Sequence, residues 1–340
     1  MDLRNQIRGA PRALRETLKQ ASREFEETVR RTHWGDGPLF IVGSGPAYAA
    51  ALTGSYAFEE LLGWPVVTAR AANFTPYITS VLRPRSVVLV IAGADEGGEM
   101  VEVVRQARTR GAAVLAMTTA ATNPVAEAAD SVFLIRTEEE QTGGLQAELC
   151  QQAAMGYLGV VAARVLKRRH QKLDELEREY QKLPDDADWV LRLSDAVKSL
   201  ASALGNKPEV VLVGGGFYYP AALLAAGALS ALGPFRARAV DAAELAESRA
   251  GSFAQQETIV FLSGSRGRFR KPMAELAQAT KRSGCALYSL TDANDRALAE
   301  FSSMAFLLPM LNESPASILA FYFLQCTIAY VEHAILRPRQ

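Results

Sequence analysis

The sequence specifies an α/β protein built as two tandem, doubly wound parallel-sheet sandwiches of three layers. Two observations carry that expectation. Short continuous apolar runs alternate with helical segments along the chain: LFIV, SVVLVIA, AAVLAMT and SVFLIR in the first half, EVVLV, TIVFLSG, CALYSLT and MAFLLP in the second. Strands that are apolar on both faces and separated by helices belong to parallel sheets covered on both sides, which is the layering of doubly wound folds. The second observation is an internal register. FIVGSGPAYAAALTG (40–54) matches VLVGGGFYYPAALLAAG (211–227) at an offset of 171 residues, which also sets AANF (71–74) on AAEL (242–245) and VLVIAGA (88–94) on IVFLSGS (259–265). RGAAVLAMTT (110–119) then meets SGCALYSLTD (283–292) at 173. A register kept across four strand–turn units indicates duplication of one domain.

In chain order, residues 1–33 form an N-terminal helical segment, whose amphipathic APRALRETLKQASREFEETVRR is expected to pack on a neighbouring domain or subunit. The first domain spans 34–183 and closes with a helical run from 145 to 182 that ends in KRRHQKLDELEREYQKL. Pro184, Asp185 and Asp186 supply a stop and a fresh helix start, so the second domain covers 184–340. The most apolar segment, 318–336, contains Gln325, Glu332 and His333. Those groups are costly in hydrocarbon, so it reads as a buried terminal helix and no membrane is expected.

Composition narrows the function. A chain of 340 residues with 49% hydrophobic content can bury two ordinary cores. Lys plus Arg equals Asp plus Glu at 37 each, which removes the footprint of a nucleic-acid partner. Cys150, Cys285 and Cys326 are odd in number, far apart and without a CxxC, so neither disulfides nor a zinc knuckle is expected and a reducing cytoplasm fits. The opening MDLRNQIRGAPRALRETLKQ lacks the apolar stretch of a secretory signal. His33, His170 and His333 have no metal-site spacing. Neither a metal nor a cofactor is expected.

In parallel sheets the ligand lies beyond the carboxyl ends of the strands, where helix amino termini converge. Both glycine turns, Ser44-Gly45 and Gly215-Gly216, occupy that place. The first lacks the third glycine of GxGxxG, no acidic residue ends the next strand, and GKS or GKT occurs nowhere. A dinucleotide or a P-loop phosphate is therefore not the expected guest, although such turns also serve packing alone.

GSGPAYAAALTGSYAFEELLGWPVVTARAANF resembles the start of a sugar isomerase (SIS) domain. The tandem arrangement is similar to the isomerase half of glucosamine-6-phosphate synthase, and its length to stand-alone sugar-phosphate isomerases, deaminases and fructosamine-6-phosphate deglycases. The resemblance covers essentially the whole chain. Because the chain begins directly before the sugar domains, no glutaminase and no glutamine-dependent amino transfer are expected.

The departures from the family pattern matter as much. Members of the family hold the sugar phosphate with an SQSGET loop after the second strand of the run; here AGADEGGEM (92–100) stands in its place. Matching by GE puts Asp95, Gly97 and Met100 where the hydroxyls belong, and matching by strand end puts Ala92 and Ala94 there; either register loses the hydroxyls and adds Asp95, Glu96 and Glu99, so the familiar phosphate site is expected to be disabled or changed by charge repulsion. The carboxylates could hold sugar hydroxyls or an amine, or Glu96 and Glu99 could simply form a solvated first helical turn. In the second copy LSGSRGRFRK offers Ser263, Ser265 and Arg266 as an anion cradle, or an exposed loop. The family's catalytic glutamate aligns with Ala231, and the histidine that helps open the sugar ring aligns with Glu247, with Glu244 on the family glutamate. Glu247 and Glu244 are therefore the catalytic candidates, since burial can tune a carboxyl for proton transfer. Thr142 stands at the third ligand loop, and Glu148 resembles the helical glutamate of the deglycase type.

The resemblance implies an enzyme that isomerises, deaminates or deglycates a sugar phosphate or amino-sugar derivative by acid–base chemistry, acting as a homodimer. The alternative is a sugar-phosphate-binding sensor or regulator without catalysis.

Overall fold

The computed structural model describes residues 3–34, 37–93, 98–137, 144–205, 207, 209–247, 253 and 256–336. The chain forms two compact units, Gly9–Pro184 and Asp185–Gln340 joined by Met1–Arg8.

The first half runs α1 (Leu3–Arg31), β1 (Leu39–Gly43), α2 (Pro46–Leu62), β2 (Val66–Arg70), the short turn α3 (Ala71–Asn73), β3 (Val87–Ile91), α4 (Glu99–Thr109), β4 (Ala113–Thr118), α5 (Pro124–Ala128), β5 (Ser131–Leu134), α6 (Leu145–Val165) and α7 (Leu173–Val190). Its five strands are all parallel, in the order β2-β1-β3-β4-β5. The second half runs α8 (Ser194–Gly205), β6 (Glu209–Gly214), α9 (Tyr218–Ala231), β7 (Arg236–Asp241), α10 (Ala242–Glu247), β8 (Thr258–Leu262), α11 (Arg270–Arg282), β9 (Ala286–Asp292), α12 (Arg296–Phe301), β10 (Met304–Leu308) and α13 (Glu313–Leu336). Its sheet is also parallel, in the order β10-β9-β8-β6-β7. Each half is thus a doubly wound sandwich with one strand order, and winding reverses between β1 and β3 and between β6 and β8.

Central strands β1, β3 and β8 are buried along their whole length, as two-sided cover requires. On one face of the first sheet, Phe40, Val42, Val88, Val90, Val114 and Ala116 join Met100, Val103, Val104 and Ala107 of α4. The alternate side chains meet α2 and α6. Those helices approach closely because a side chain is missing from each: a Cβ on Gly54 would lie 2.2 Å from Met155 Cε, and one on Gly159 would lie 2.7 Å from Ala57 Cβ.

Pro11 sits inside α1 and cannot donate to the carbonyl of Ile7. The Tyr322 hydroxyl of α13 donates to that carbonyl instead, at 2.7 Å. Among the described helices one, Glu313–Ile335, is long and apolar enough by composition to cross a bilayer, and it is mostly buried inside the protein. Gln325 is fully buried within it.

Candidate functional site

The winding reversal at β1 and β3 opens a crevice at the carboxyl ends of the strands of the first half. Its floor is backbone. A Cβ on Gly43 would stand 2.5 Å from the Ala47 carbonyl oxygen, so the α2 start folds directly over the end of β1. Gly45 takes φ 51°, a conformation that glycine adopts without steric cost, and Pro46 opens the helix. Ser44 is half-buried and Gly45 exposed at this turn. Arg70, in register with Gly43 at the end of β2, lays its guanidinium 4.2 Å from the ring centroid of Tyr48. It is exposed and forms no ion pair among the described residues.

On the β3 side, Ala92 accepts a hydrogen bond from Gln151 Nε2 of α6 at 3.3 Å. The Gly93 carbonyl accepts from Asn123 Nδ2 at 3.3 Å and Thr118 Oγ1 at 3.4 Å. Gly98, at φ 47°, opens α4, and Glu99 in its first turn is exposed. Asp95, Glu96, Gly97 and Thr142 lie outside the described residues.

The helix α6 brings a row of polar groups to the same edge. Its first turn carries Glu148, and Gln151 and Gln152 follow at three and four residues, on one face. The Thr53 hydroxyl of α2 donates to Gln152 Oε1, which fixes this face against α2. Gln151 ties it to the end of β3, and Glu148 stands one turn nearer the crevice. The residue as a whole is half-buried, yet its Oε2 is closed off from solvent and no hydrogen bond reaches it from the described residues. Burial pushes its carboxyl up to about 7. Gln152 Nε2 and Thr119 Oγ1 are likewise buried without partners among the described residues. An unmade hydrogen bond at a buried polar atom costs roughly 1–3 kcal/mol, so three in one unit, two of them on one helix face, call for a reason.

The equivalent edge of the second half is built differently. Gly215 and Gly216 form its turn, Gly216 at φ 56°. A Cβ on Gly215 would enter the Phe269 ring at 2.6 Å, and one on Gly216 would stand 2.9 Å from Glu313 Oε1. The Tyr218 hydroxyl and Asp292 Oδ2 crowd Gly264 in the same way. The Ser265 amide donates to Asp292 Oδ2 at 2.7 Å, and the Arg268 amide to Glu313 Oε2 at 3.4 Å. Ser263 is buried, and Ser265 and Arg266 are half-buried. Burial, and then the charges of Glu313, Asp292 and Asp295, push the Tyr218 phenol far up. Around Ser263, Ser265 and Arg266 the strand ends also carry the Phe269 ring, the Tyr218 phenol and the carboxylates of Asp292, Asp295 and Glu313, of which Asp295 pairs with Arg270 at 3.3 Å. Glu244 is exposed on α10; the side chain of Glu247 lies outside the described residues. Ala231 closes α9.

Sequence reasoning passed over Arg70, Gln151, Gln152, Phe269, Asp292 and Glu313. The paired glutamines inside the small and apolar LCQQAAMGYLG were a legible signal, because polar residues on a buried helix face need partners.

The chain has clear relatives. A glutamine–fructose-6-phosphate aminotransferase (isomerizing) of Clostridium tetani is 24% identical over 293 residues, covering 84% of this chain and 48% of its own length. One of Symbiobacterium thermophilum is 26% identical over 339 residues, covering 93% and 55%. This chain thus spans about half the length of the curated relatives it matches. Among solved structures, the C-terminal domain of glucosamine-fructose-6-phosphate aminotransferase from Francisella tularensis superposes with a TM-score of 0.86 at 18% identity, covering 98% of this chain and 96% of that one. Tagatose-6-phosphate ketose/aldose isomerase from Escherichia coli gives 0.75 at 13%, covering 98% and 93%. The SIS domain pattern matches twice, at residues 36–162 and 203–331. With two parallel sheets of one strand order beneath those two matches, the chain belongs to the SIS domain family.

Proposed function

We propose that this chain binds a sugar phosphate or amino-sugar derivative at the strand ends of its first half and isomerises, deaminates or deglycates it by acid–base chemistry. The observation that carries the reading is Glu148, a half-buried carboxyl raised to about 7 on the first turn of α6, whose Oε2 is closed off from solvent with no hydrogen-bond partner among the described residues. A proton-transfer group works best when its pKa lies near the working pH. Arg70 supplies the exposed cation that a phosphate would meet now that the hydroxyl loop is gone. The names of the relatives, aminotransferases of fructose 6-phosphate and a ketose/aldose isomerase of tagatose 6-phosphate, point to the same substrate class. The reading places the protein in the cytoplasm as a homodimer.

A second reading, a sugar-phosphate sensor without catalysis, is favoured by Ala231 at the position of the family glutamate and by the exposure of Glu244. A thermal-shift screen with fructose 6-phosphate, glucosamine 6-phosphate and fructosamine 6-phosphate, followed by product analysis of each hit, separates the two. Stabilisation with turnover supports the enzyme, and stabilisation without turnover supports the sensor. No stabilisation by any of the three removes the sugar-phosphate premise.

A further inference from the structure

Protein interiors hold few voids larger than a water molecule, so a cavity of about 280 Å³ away from the strand ends calls for an occupant. It lies where the first turns of α1 and the turn from α7 to α8 meet the second half of α13. All three belong to the unit formed by Met1–Arg8 and Asp185–Gln340. Cys326 in its wall stands about 20 Å along α13 from Glu313, which crowds Gly216, so the cavity is remote from the second half's glycine turn.

The floor is apolar. Ile7, Val190, Val197, Cys326 and Ala329 line it, and all are buried. The rim is polar and basic: Arg4, Ser194 and Tyr330 are half-buried and Arg8 is exposed. No described Asp or Glu lines the cavity. Arg4 lies against the Tyr330 ring, 5.5 Å from its centroid, whereas Arg8 makes no hydrogen bond or ion pair among the described residues. Ser194 opens α8, which brings the positive end of that helix dipole to the same rim. Its neighbour Asp195 does not cancel this charge at the cavity, because its side chain is 98% exposed and pairs with Lys198 at 3.7 Å. Tyr330 also lines a second cavity of about 620 Å³, but Lys198, the cation there, is the one already paired with Asp195.

We propose that the smaller cavity binds a carboxylate with a hydrocarbon body, its head group on Arg8 and its tail over the buried floor. The guanidinium fork of Arg8 matches the two oxygens of a carboxylate, and the Ser194 hydroxyl is a second donor beside it. A sugar would set its hydroxyls against an aliphatic floor and lose their hydrogen bonds to water. Volume limits the tail: an apolar cavity of roughly 150 Å³ takes a benzene ring, so this one has room for about ten carbons. The assignment does not rest on the sugar-phosphate reading, since no residue of the first half's crevice takes part.

The test titrates the full chain with decanoate and, separately, with decanol, following binding by calorimetry and by melting temperature. Wild type is expected to bind decanoate at least tenfold more tightly than decanol and to melt higher with it. Arg8→Ala should weaken decanoate about tenfold and leave decanol as it was. Ala329→Leu, which puts a bulkier side chain into the floor, should weaken both. Decanoate that neither binds nor stabilises wild type overturns the proposal, and so does decanoate binding that either variant leaves unchanged. Where Ala329→Leu fails to fold, hydrogen–deuterium exchange of wild type decides. Decanoate should slow exchange in the peptides spanning 4–8, 190–197 and 326–330, and protection elsewhere or nowhere overturns the site. Protection of those peptides by a rise in protein concentration alone would assign the cavity to a second copy of the chain, which overturns it equally.

Discussion

Replacing Glu148 by Gln removes a titrating group while keeping its shape, and the stability change can be worked from its surroundings. Folding lifts the carboxyl from its ordinary 4.5 to about 7, chiefly by burial. At about 1.4 kcal/mol per tenfold change in proton affinity, that gap is worth at most roughly 3.5 kcal/mol. The sign follows from which state holds the proton more tightly. Here it is the folded state, so the stabilisation is complete below 4.5, is lost as the pH rises through about 7, and is gone above it. Between pH 5 and pH 8 wild type should lose roughly 2.5 kcal/mol from this group, less whatever screening the half-buried residue receives. The Gln variant, with nothing to titrate, should not, so it should match wild type at the acid end and exceed it at pH 8 by about 2 kcal/mol. Urea unfolding of both proteins across that range reads the difference directly. A difference that stays flat with pH would show that Glu148 titrates as an ordinary exposed carboxyl, and the reasoning about its burial would be wrong.

Further outcomes follow from other contacts. Gly159→Leu should destabilise the first half by about 1–3 kcal/mol in the same assay, because the Cβ alone meets Ala57 at 2.7 Å, and this outweighs the roughly 1 kcal/mol a helix gains when glycine is removed. Arg70→Ala should weaken binding of glucose 6-phosphate about tenfold by calorimetry while leaving unphosphorylated glucose unaffected, in line with one lost charge-assisted contact; equal loss for both sugars would take Arg70 out of phosphate recognition. Cys150, Cys285 and Cys326 are 0%, 8% and 4% exposed, and burial pushes the thiols of Cys150 and Cys326 up to about 12. An aromatic disulfide reagent should therefore find almost no reactive thiol in the native protein and three after denaturation.

Much of the fold was legible because central strands announce themselves. Val87–Ile91 and Thr258–Leu262 are apolar throughout, since both faces are covered. The strands missing from the sequence reading, Val66–Arg70 and Arg236–Asp241, are edge strands whose side chains are only partly buried. A run such as RARAVD carries no continuous apolar signal, its arginines meeting solvent, whereas the opposite edge strands, Ser131–Leu134 and Met304–Leu308, keep enough apolar residues to be read. The glycine turns and Glu148 could be picked out from the sequence, but the different surroundings of the two turns could not. Whether a glycine turn stays open depends on side chains far along the chain: Phe269 and Glu313 close the one at Gly215 and Gly216, whereas Arg70 lies beside the one at Gly45. Spacing within a motif carries no information about such neighbours.

That asymmetry is what hydrogen–deuterium exchange with and without fructose 6-phosphate addresses most directly. Slower exchange is expected in the peptides spanning 43–48, 91–100 and 144–152, where the first half's strands and α6 meet the ligand, with no change at 214–218 and 262–268. Protection confined to the second set of peptides, or none in either at saturating sugar phosphate, would contradict a binding site at the first half's strand ends.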